Sequence, residues 1–332
     1  MSGAGTPYRA PAQRPDERIA WPADFGQRFL VTVDVEEEFD WSRPFARENR
    51  GTAAMAAFPD AHRRFADEGV GLVCLADHPV ACDPHSVEIL ARVVEDGRSE
   101  VGAQLHPWVT PPFDEALTRA NSYGGNLPPA LEAAKIDTLT AALTGAFGQA
   151  PRVYRAGRYG IGPATLRLLA ERGYGVDMSM RSRYDYRADG GPDFRAIGSS
   201  AFRRDGMIEL PLTTVYTGAA RRAGRALHEL AGRVPYGRGA LARSGLVSRI
   251  ALTPEDMPIA DALEAVTVAA GEGEQLLIFS FHSPSLAPGH TPYVRDAADL
   301  QRFYGWWRTM LAHLSGLRIR AATLDEAIAA AG

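Results

Sequence analysis

The stretch Phe29-Leu-Val-Thr-Val-Asp-Val-Glu-Glu-Glu-Phe-Asp40 decides how the rest of this sequence is interpreted. Residues 29–35 form an apolar run, rich in β-branched side chains, that only Thr32 and Asp34 interrupt. Such a run is typical of a strand buried on both faces. Parallel strands present functional side chains at their C-terminal ends, and residues two apart point to the same side. Asp34 and Glu36 are therefore predicted to point into the same cavity at the C-terminal end of the strand.

The carboxylates in this stretch receive two different interpretations. Asp34 lies inside the apolar run, and a buried charge without a partner costs too much free energy to be accidental. We therefore predict a functional role for Asp34. The segment from Glu37 to Asp40 is predicted to be a solvated acidic turn.

Length and composition limit the classes of protein that the chain can belong to. Its 332 residues can form one large barrel-type domain or two ordinary domains. A net charge of −4 indicates neither nucleic-acid binding nor attraction to an anionic membrane, and no apolar stretch is long enough to span a bilayer. Two cysteines, Cys74 and Cys82, exclude a disulfide framework and are predicted to be small buried side chains. The sequence indicates no oligomeric state.

Strand and helix patterns alternate along the chain. Strands are predicted at residues 29–35, 70–76, 100–106, 152–156, 176–179, 207–212, 275–281 and 317–320, with helices at 52–67, 84–94, 131–147, 163–172, 259–270, 296–314 and the C-terminus. This order predicts an α/β fold, a distorted (β/α) barrel of seven or eight strands. An open doubly wound sheet is the alternative, and it is disfavoured because no glycine-rich phosphate fingerprint follows the first strand.

Two segments are predicted to lie outside the regular barrel, which spans residues 28–332. Residues 1–27 are predicted to be a poorly ordered arm that lies across the domain. They contain no apolar h-region, so no secretory signal is predicted and a cytoplasmic enzyme is the default. Residues 217–252, rich in arginine, are predicted to be a helical insertion, either a solvated surface or a basic face for a polyanion.

Polar side chains gather where the predicted strands end. The set comprises Asp34, Glu36, Asp77, His78, Gln104, His106, Trp108, Arg155, Arg158, Tyr159 and His282. Carboxylates, imidazoles and a guanidinium in one mouth are the composition of a metal-assisted hydrolase site.

Four segments of these strand ends resemble, in order, the motifs of one known family. They are Thr-Val-Asp34-Val-Glu36, Glu100-Val-Gly-Ala-Gln-Leu-His106-Pro-Trp108, Tyr154-Arg155-Ala-Gly-Arg-Tyr159-Gly160 and Phe279-Ser-Phe-His282-Ser-Pro. The family is that of the polysaccharide deacetylases, the NodB-homology proteins of carbohydrate esterase family 4. The resemblance extends from about residue 29 to residue 289.

The resemblance implies a metal-dependent hydrolase that removes an N- or O-acyl group, such as acetyl, from a carbohydrate or a carbohydrate-like small molecule. It implies Asp34 as the general base, Arg155 as the residue that orients this base, and His282 as the general acid. It also implies Glu36 and His106 as ligands of a divalent metal, most often zinc.

The sequence departs from the family pattern at the metal ligands. Gln104 stands where a second histidine is expected, and its carbonyl oxygen could ligate a metal, more weakly than imidazole does. His78 could replace the missing ligand, or it is only a turn residue before Pro79. The metal is accordingly bound by a mixed set, bound weakly, or lost. Glu36 also stands two positions after Asp34, where many members have an adjacent aspartate.

Four further residues are candidate substrate contacts. Trp108 is either a platform on which a sugar ring stacks or ordinary packing at the rim. Arg158 and Tyr159 follow the strand of Arg155, and a backbone N–H near Tyr159 is implied as an oxyanion donor. His290 belongs to a proline-dense loop that either lines the cleft or is a rigid connector.

Two other functions remain open on the sequence alone. A non-catalytic sugar-binding or regulatory barrel that has lost its metal would explain Gln104. A glycoside hydrolase would need a second carboxylate across the cleft from Glu36, either Glu209 or Asp77. That interpretation leaves Arg155 and His282 unexplained.

Overall fold

A computed structural model describes residues 7–39 and 43–332. The strands are β1 Arg28–Val35, β2 Leu72–Ala76, β3 Glu100–Leu105, β4 Val153–Ala156, β5 Val176–Asp177, β6 Phe202–Arg204, β7 Met207–Glu209, β8 Thr214–Thr217, β9 Ser248–Ala251, β10 Leu276–His282 and β11 Arg320–Ala321. The helices are α1 Phe58–Asp67, α2 His78–Cys82, α3 Pro84–Val94, α4 Pro129–Phe147, α5 Thr165–Ala170, α6 Gly224–Ala231, α7 Gly237–Arg243, α8 Ile259–Gly271, α9 Ala297–Gly316 and α10 Leu324–Ala331. None of the helices in the described ranges is both long and apolar enough to cross a bilayer.

The strands form one curled sheet in the order β10-β1-β2-β3-β4-β5-β7-β6, and β11 also pairs with β1. The pairs from β10 to β7 are parallel, whereas β6 and β7 form an antiparallel hairpin. The chain after β7 returns to β10, where the Thr213 N–H donates to the Ile278 carbonyl at 3.2 Å. The predicted α/β fold of the distorted-barrel type is confirmed.

Strand β1 lies inside this sheet, between β10 and β2, because its residues are apolar on both faces. Residues 29–35 are all buried, and Phe29, Val31 and Val33 belong to one apolar cluster while Leu30 belongs to the other. Alternation along the strand places Asp34 on the same side as Leu30 and opposite to Val33. The register of β1 with β10 sets Asp34 beside His282, which joins the first and last motifs of the sequence.

The N-terminal segment is held against the domain from residue 7 onward. The Ala10 N–H donates to the Asp193 carbonyl at 3.1 Å, and the Ile19 N–H donates to the Ala201 carbonyl at 3.1 Å. The backbone donors of the arm find acceptors on the domain, as expected for an arm that lies across it. Its poor order stays a prediction. Residues 1–6 lie outside the described part of the chain.

The arginine-rich segment is not wholly helical. Strands β8 and β9 form an antiparallel pair at its two ends, and the short helices α6 and α7 lie between them. Val247 and Ile250 are buried, whereas Arg222, Arg225 and Arg233 are exposed. The strand pair was missed because the alternating residues in it are few and arginines interrupt them.

A buried carboxyl group, that of Glu132 in α4, gives the fold a pH dependence. The Thr165 hydroxyl donates to it, and burial raises its pKa from 4.5 to about 7. Because the pKa is higher in the folded chain, the contribution of Glu132 to stability is fully present below pH 4.5 and is lost as the pH rises toward about 7.

Glu132→Gln is therefore expected to stabilise the protein at pH 8, by on the order of 3 kcal/mol, and to change it little at pH 4. Urea unfolding at both values measures this difference. Asp137→Asn, on the exposed side of α4, is the control and should leave the pH profile unchanged. An equal effect of Glu132→Gln at both pH values would show that ionisation of this group is not the cause.

Candidate active site

A cavity of about 730 Å³ opens where the parallel strands end. Its lining includes Asp34, Glu36, Gln104, His106, Arg155 and His282, from β1, β3, β4 and β10. Side chains that are far apart in the sequence therefore meet in one place because the C-terminal ends of parallel strands share one edge of the barrel.

Asp34 and Arg155 form a buried ion pair at the base of the cavity. The Arg155 Nη1 donates to Asp34 Oδ1 and, at 2.9 Å, to the Ser280 hydroxyl. Its Nη2 donates to the Thr32 hydroxyl at 2.9 Å, and its Nε donates to the Met178 carbonyl at 3.0 Å. These four bonds fix the guanidinium, so that Asp34 is oriented and keeps its second oxygen, Oδ2, for another partner.

His282 faces Asp34 across the β1–β10 pair. Its Nε2 lies 3.6 Å from Asp34 Oδ2, and its Nδ1 lies 2.6 Å from Glu255 Oε2. Burial lowers the pKa of His282. The negative charges of Glu255, Glu36 and Asp34, in this order, together raise it by more, so that the net shift of the pKa is upward. The imidazolium form, which has a proton to give, is therefore favoured at this position.

His106 is held in place on its other ring nitrogen. Its Nδ1 lies 2.6 Å from Glu37 Oε2, and its Nε2 lies 3.5 Å from Glu36 Oε2. The ring stacks on Trp108 with centroids 4.3 Å apart, and the Trp108 Nε1 donates to Glu37 Oε1 at 2.6 Å. Nδ1 held by a carboxylate and Nε2 turned to the cavity is the arrangement of a metal-ligating histidine.

Glu37 corrects one of the predictions. It is fully buried rather than part of a solvated acidic turn, and its backbone N–H donates to Asp77 Oδ2 at 2.7 Å. Burial raises its pKa to about 8. The strand alternation places Glu37 on the side away from Asp34 and Glu36, where His106 and Trp108 supply two donors. Asp40, the end of the predicted turn, lies outside the described residues.

Gly157 permits the close approach of His106. A Cβ atom at this position would overlap the Cδ2 atom of the His106 ring and the Leu105 carbonyl. A residue without a side chain is therefore required where the turn after β4 passes His106.

Two buried oxygens at the site lack a hydrogen-bond partner in the described chain. They are Glu36 Oε1 and Gln104 Oε1. The Gln104 Nε2 donates to Glu36 Oε2 at 3.2 Å, and the same carboxylate oxygen lies 3.5 Å from the Nε2 of His106. Burial raises the pKa of Glu36 to about 7, and a cation in contact with it would favour the charged form. Two unpaired oxygens and one imidazole nitrogen are a fitting donor set for a divalent metal.

Two separate groups of side chains in the described residues could hold a metal by geometry alone. Each has three ligand atoms within 4.8 Å of one another, and the groups are Asp34, Glu36 and His282, and Glu37, Asp77 and His106. The second is already satisfied, because Asp77 accepts from the backbone of Glu37 and of α2, and Glu37 accepts from Trp108 and His106. We interpret it as the support of His106.

Two of the residues predicted from the sequence, His78 and His290, do not line the cavity, and a third, Trp108, lines it with a covered ring. His78 begins α2, and its ring lies 3.6 Å from Cys82 Sγ, which is exposed rather than buried as predicted. His290 is outside the cavity lining, with Nδ1 3.5 Å from Glu38 Oε1. The Trp108 ring is covered on its faces by His106 and Phe45, so it offers no open platform and is not at the rim.

Arg158 and Tyr159 do line the cavity, in a turn of unusual backbone geometry. Their φ angles are 55° and 60°, in the left-handed region that side chains rarely adopt. The Arg158 guanidinium lies over the Tyr123 ring at 4.2 Å, and the Tyr159 ring stacks on Tyr186. Such backbone strain persists where the surroundings fix it, often at functional sites.

Neither of the two carboxylates named for the glycoside hydrolase alternative lines the cavity. Glu209 is fully buried in β7 beside Asp177, and it does not line the cavity. Asp77 is fully buried beneath Glu37. Neither therefore faces Glu36 across a cleft.

Sequence analysis missed three residues that support the site. Glu255 holds His282, and Glu37 holds His106. Lys135 is fully buried in α4, and its Nζ donates to the carbonyls of Pro107, Thr110 and Pro112, which fixes the loop after β3. Lys135 could have been noticed because it is a lysine at an apolar position of a predicted helix. Glu255 lies in a loop, where a glutamate gives no such signal.

Comparisons with known proteins give structural similarity alone. No protein-family model matches the chain, and no curated protein matches it. Among solved structures it is similar to one described as a putative polysaccharide deacetylase from Mycobacterium smegmatis, with 15% identity, 94% and 98% of the two chains covered and a TM-score of 0.49. It is also similar to a carbohydrate esterase of family 4 from Streptomyces lividans in complex with acetate, with 13% identity, 91% and 94% covered and a TM-score of 0.40. A pseudoenzyme of that family from Bacillus anthracis has 8% identity, 96% and 68% covered and a TM-score of 0.44.

Proposed function

We propose that this protein is a metal-dependent hydrolase that removes an N- or O-acyl group from a carbohydrate or a carbohydrate-like molecule. The observation that carries the proposal is that Glu36 and Gln104 each have a buried oxygen without a partner, while the Nε2 of His106 lies 3.5 Å from the other Glu36 oxygen. Around them stand a carboxylate fixed by a guanidinium and an imidazole that favours its protonated form. These are the groups that acyl transfer to water requires.

A divalent cation, with zinc as the first candidate, would be held by Glu36, Gln104 and His106. When bound, it would supply Lewis-acid polarisation of the attacking water and of the acyl carbonyl. The predicted mixed ligand set thus stays a proposal, in which Gln104 takes the place of the expected histidine and His78 takes no part.

Asp34 acts as the general base through Oδ2. Arg155 occupies its other oxygen and so directs Oδ2 to the cavity, where it takes a proton from the attacking water. The buried guanidinium also balances the negative charge of Asp34 before the proton arrives.

His282 acts as the general acid through Nε2. Glu255 binds Nδ1, so the proton that His282 gives up is the one on Nε2, which faces the cavity. That proton passes to the departing amine or alcohol as the carbon–nitrogen or carbon–oxygen bond breaks. The backbone N–H of Tyr159 is the proposed donor to the developing oxyanion.

A second function, a sugar-binding barrel without a catalytic metal, is favoured by one observation, the presence of Gln104 among the ligands. The two functions differ in what the purified protein contains. An enzyme of the proposed kind holds about one zinc for each chain, whereas the binder holds none. The predicted cytoplasmic location is independent of this choice and stays a prediction.

We expect purified protein to hold stoichiometric zinc and His106→Ala to lose it, because the only imidazole of the proposed ligand set is removed. Elemental analysis after dialysis measures the metal, and release of acetate from acetylated sugars measures the activity. His62→Ala, whose ring pairs with Asp96 away from the cavity, is the control. Absence of metal from both the unaltered protein and the variant would contradict the enzyme and favour the binder.

The same measurement on His282→Asn separates the two roles that its position allows. Zinc retained by the variant, together with slow acyl release, would support the role of His282 as the general acid. Lost zinc would make His282 a ligand together with Asp34 and Glu36.

A further inference from the structure

We propose that the substrate carries a negatively charged group, a carboxylate or a phosphate, which Arg181 binds in the wall of the cavity. The proposal rests on the proposed function for the acyl group, and it adds the chemical class of the substrate. The supporting observation is an arginine in the cavity lining that forms no ion pair with an acidic side chain of the described residues.

Arg181 follows β5 and lines the same cavity as Asp34 and His282. Its Nε is buried and has no hydrogen-bond partner in the described chain. Within the described residues its side chain makes one hydrogen bond, from Nη1 to the Tyr186 hydroxyl at 3.4 Å, which is long for such a bond. The buried Nε is therefore a donor that a ligand in the cavity could satisfy.

Three other arginines of the cavity lining pair with carboxylates. Arg155 binds Asp34, Arg119 lies 3.0 Å from Asp189, and Arg158 lies 3.5 Å from the same carboxylate. Arg181, by contrast, has no carboxylate oxygen within 4.0 Å among residues 7–39 and 43–332. A partly buried charge without a counter-ion costs free energy, and an anionic ligand would remove that cost.

The surroundings of Arg181 hold it in a fixed orientation. Its guanidinium carbon lies 3.9 Å from the centroid of the Tyr184 ring and 5.5 Å from that of Tyr159. Aromatic rings cover its faces and leave the edge, where the donors lie, for a ligand. A planar guanidinium with a free edge is suited to two parallel hydrogen bonds to a carboxylate or a phosphate.

The alternative is a structural role, in which Arg181 stacks with the tyrosines and stabilises this wall without binding a ligand. The chain contains a matched control for that possibility. Arg249 also stacks on Tyr184, at 3.6 Å, and its Nη1 donates to the Arg183 carbonyl, but it does not line the cavity. Removal of Arg249 therefore tests the stacking without the proposed anion contact.

The experiment compares binding of three sugars to the full chain by calorimetry, in the presence of zinc: N-acetylglucosamine, N-acetylglucosamine 6-phosphate and the corresponding 6-carboxylate. We expect at least one charged sugar to bind about tenfold or more tightly than the neutral sugar. The two charged sugars distinguish phosphate from carboxylate. Arg181→Met should abolish the preference, Arg181→Lys should retain part of it, and Arg249→Met should retain it in full.

Equal affinity for neutral and charged sugars would overturn the proposal, as would a preference that survives in Arg181→Met. The comparison on the unaltered protein needs no variant, so it decides the matter even if Arg181→Met fails to fold. Binding and acetate release are separate readouts. A charge preference without acetate release would contradict the proposed function alone, and acetate release without a charge preference would contradict this inference alone.

Discussion

Arg155→Met is expected to lower the free energy of unfolding by about 3–5 kcal/mol. The substitution removes a fully buried guanidinium and leaves Asp34, which is 3% exposed, without its ion-pair partner. It also removes the donors to Thr32, Ser280 and the Met178 carbonyl, which join β4 to β1, β10 and the chain after β5. Urea unfolding of the zinc-free protein measures the loss without a contribution from metal binding.

The double variant Asp34→Asn, Arg155→Met tests whether the unpaired charge is the cause. It should recover a large part of the lost stability, because no charge is then left buried without a partner. Arg152→Met is the matched control, since that arginine pairs with Glu100 at 2.6 Å near the start of the same strand but is partly exposed. Its cost should stay near 1 kcal/mol or below. A double variant no more stable than Arg155→Met would contradict this explanation.

The strands around the site could be predicted because their apolar runs are short, dense and separated by helices. Residues 29–35 and 275–281 were placed within one residue of β1 and β10, and both carry catalytic candidates at their ends. Parallel strands place their C-terminal ends together whatever the details of their packing. The convergence of Asp34, Arg155 and His282 therefore followed from strand order alone.

The partners of the site residues could not be predicted in the same way. Glu37 was assigned to solvent because three consecutive glutamates usually indicate an exposed turn, yet its burial depends on donors from Trp108 and His106, about seventy positions later. The distance between His78 and the cavity likewise depends on the helix that begins at His78 itself. A side chain's partners are set by tertiary packing, which a single strand pattern does not encode.

Arg181 is another residue whose position and role could not be predicted from the sequence. In the sequence it is one of many arginines between residues 181 and 249, and composition alone favours a solvated surface for all of them. The structure separates Arg181, in the cavity wall, from the exposed Arg222 and Arg233. Only the position of each arginine in the folded chain, in the cavity wall or on the exposed surface, makes that distinction.

Asp34→Asn is expected to lower the rate of acyl release by about 10²–10⁴-fold while the protein keeps its zinc. Asparagine has nearly the same shape and can still accept a hydrogen bond from Arg155, but its amide cannot take a proton from water. The proposed ligands on Glu36, Gln104 and His106 are unchanged. Acetate release under saturating substrate and elemental analysis of the same sample measure the two quantities.

Glu38→Gln is the control for a changed charge in the same segment, since Glu38 accepts from the Ala54 N–H and lies near His290 rather than in the cavity lining. It should retain both zinc and most of the activity. Loss of zinc from Asp34→Asn would mean that Asp34 is a ligand and that the base must be sought elsewhere, with Glu36, whose pKa of about 7 suits proton transfer near neutrality, as the next candidate. Arg155 holds Oδ1 of Asp34, so Oδ2 is the oxygen that acts in either role. It takes a proton if Asp34 is the general base, and it binds the metal if Asp34 is a ligand.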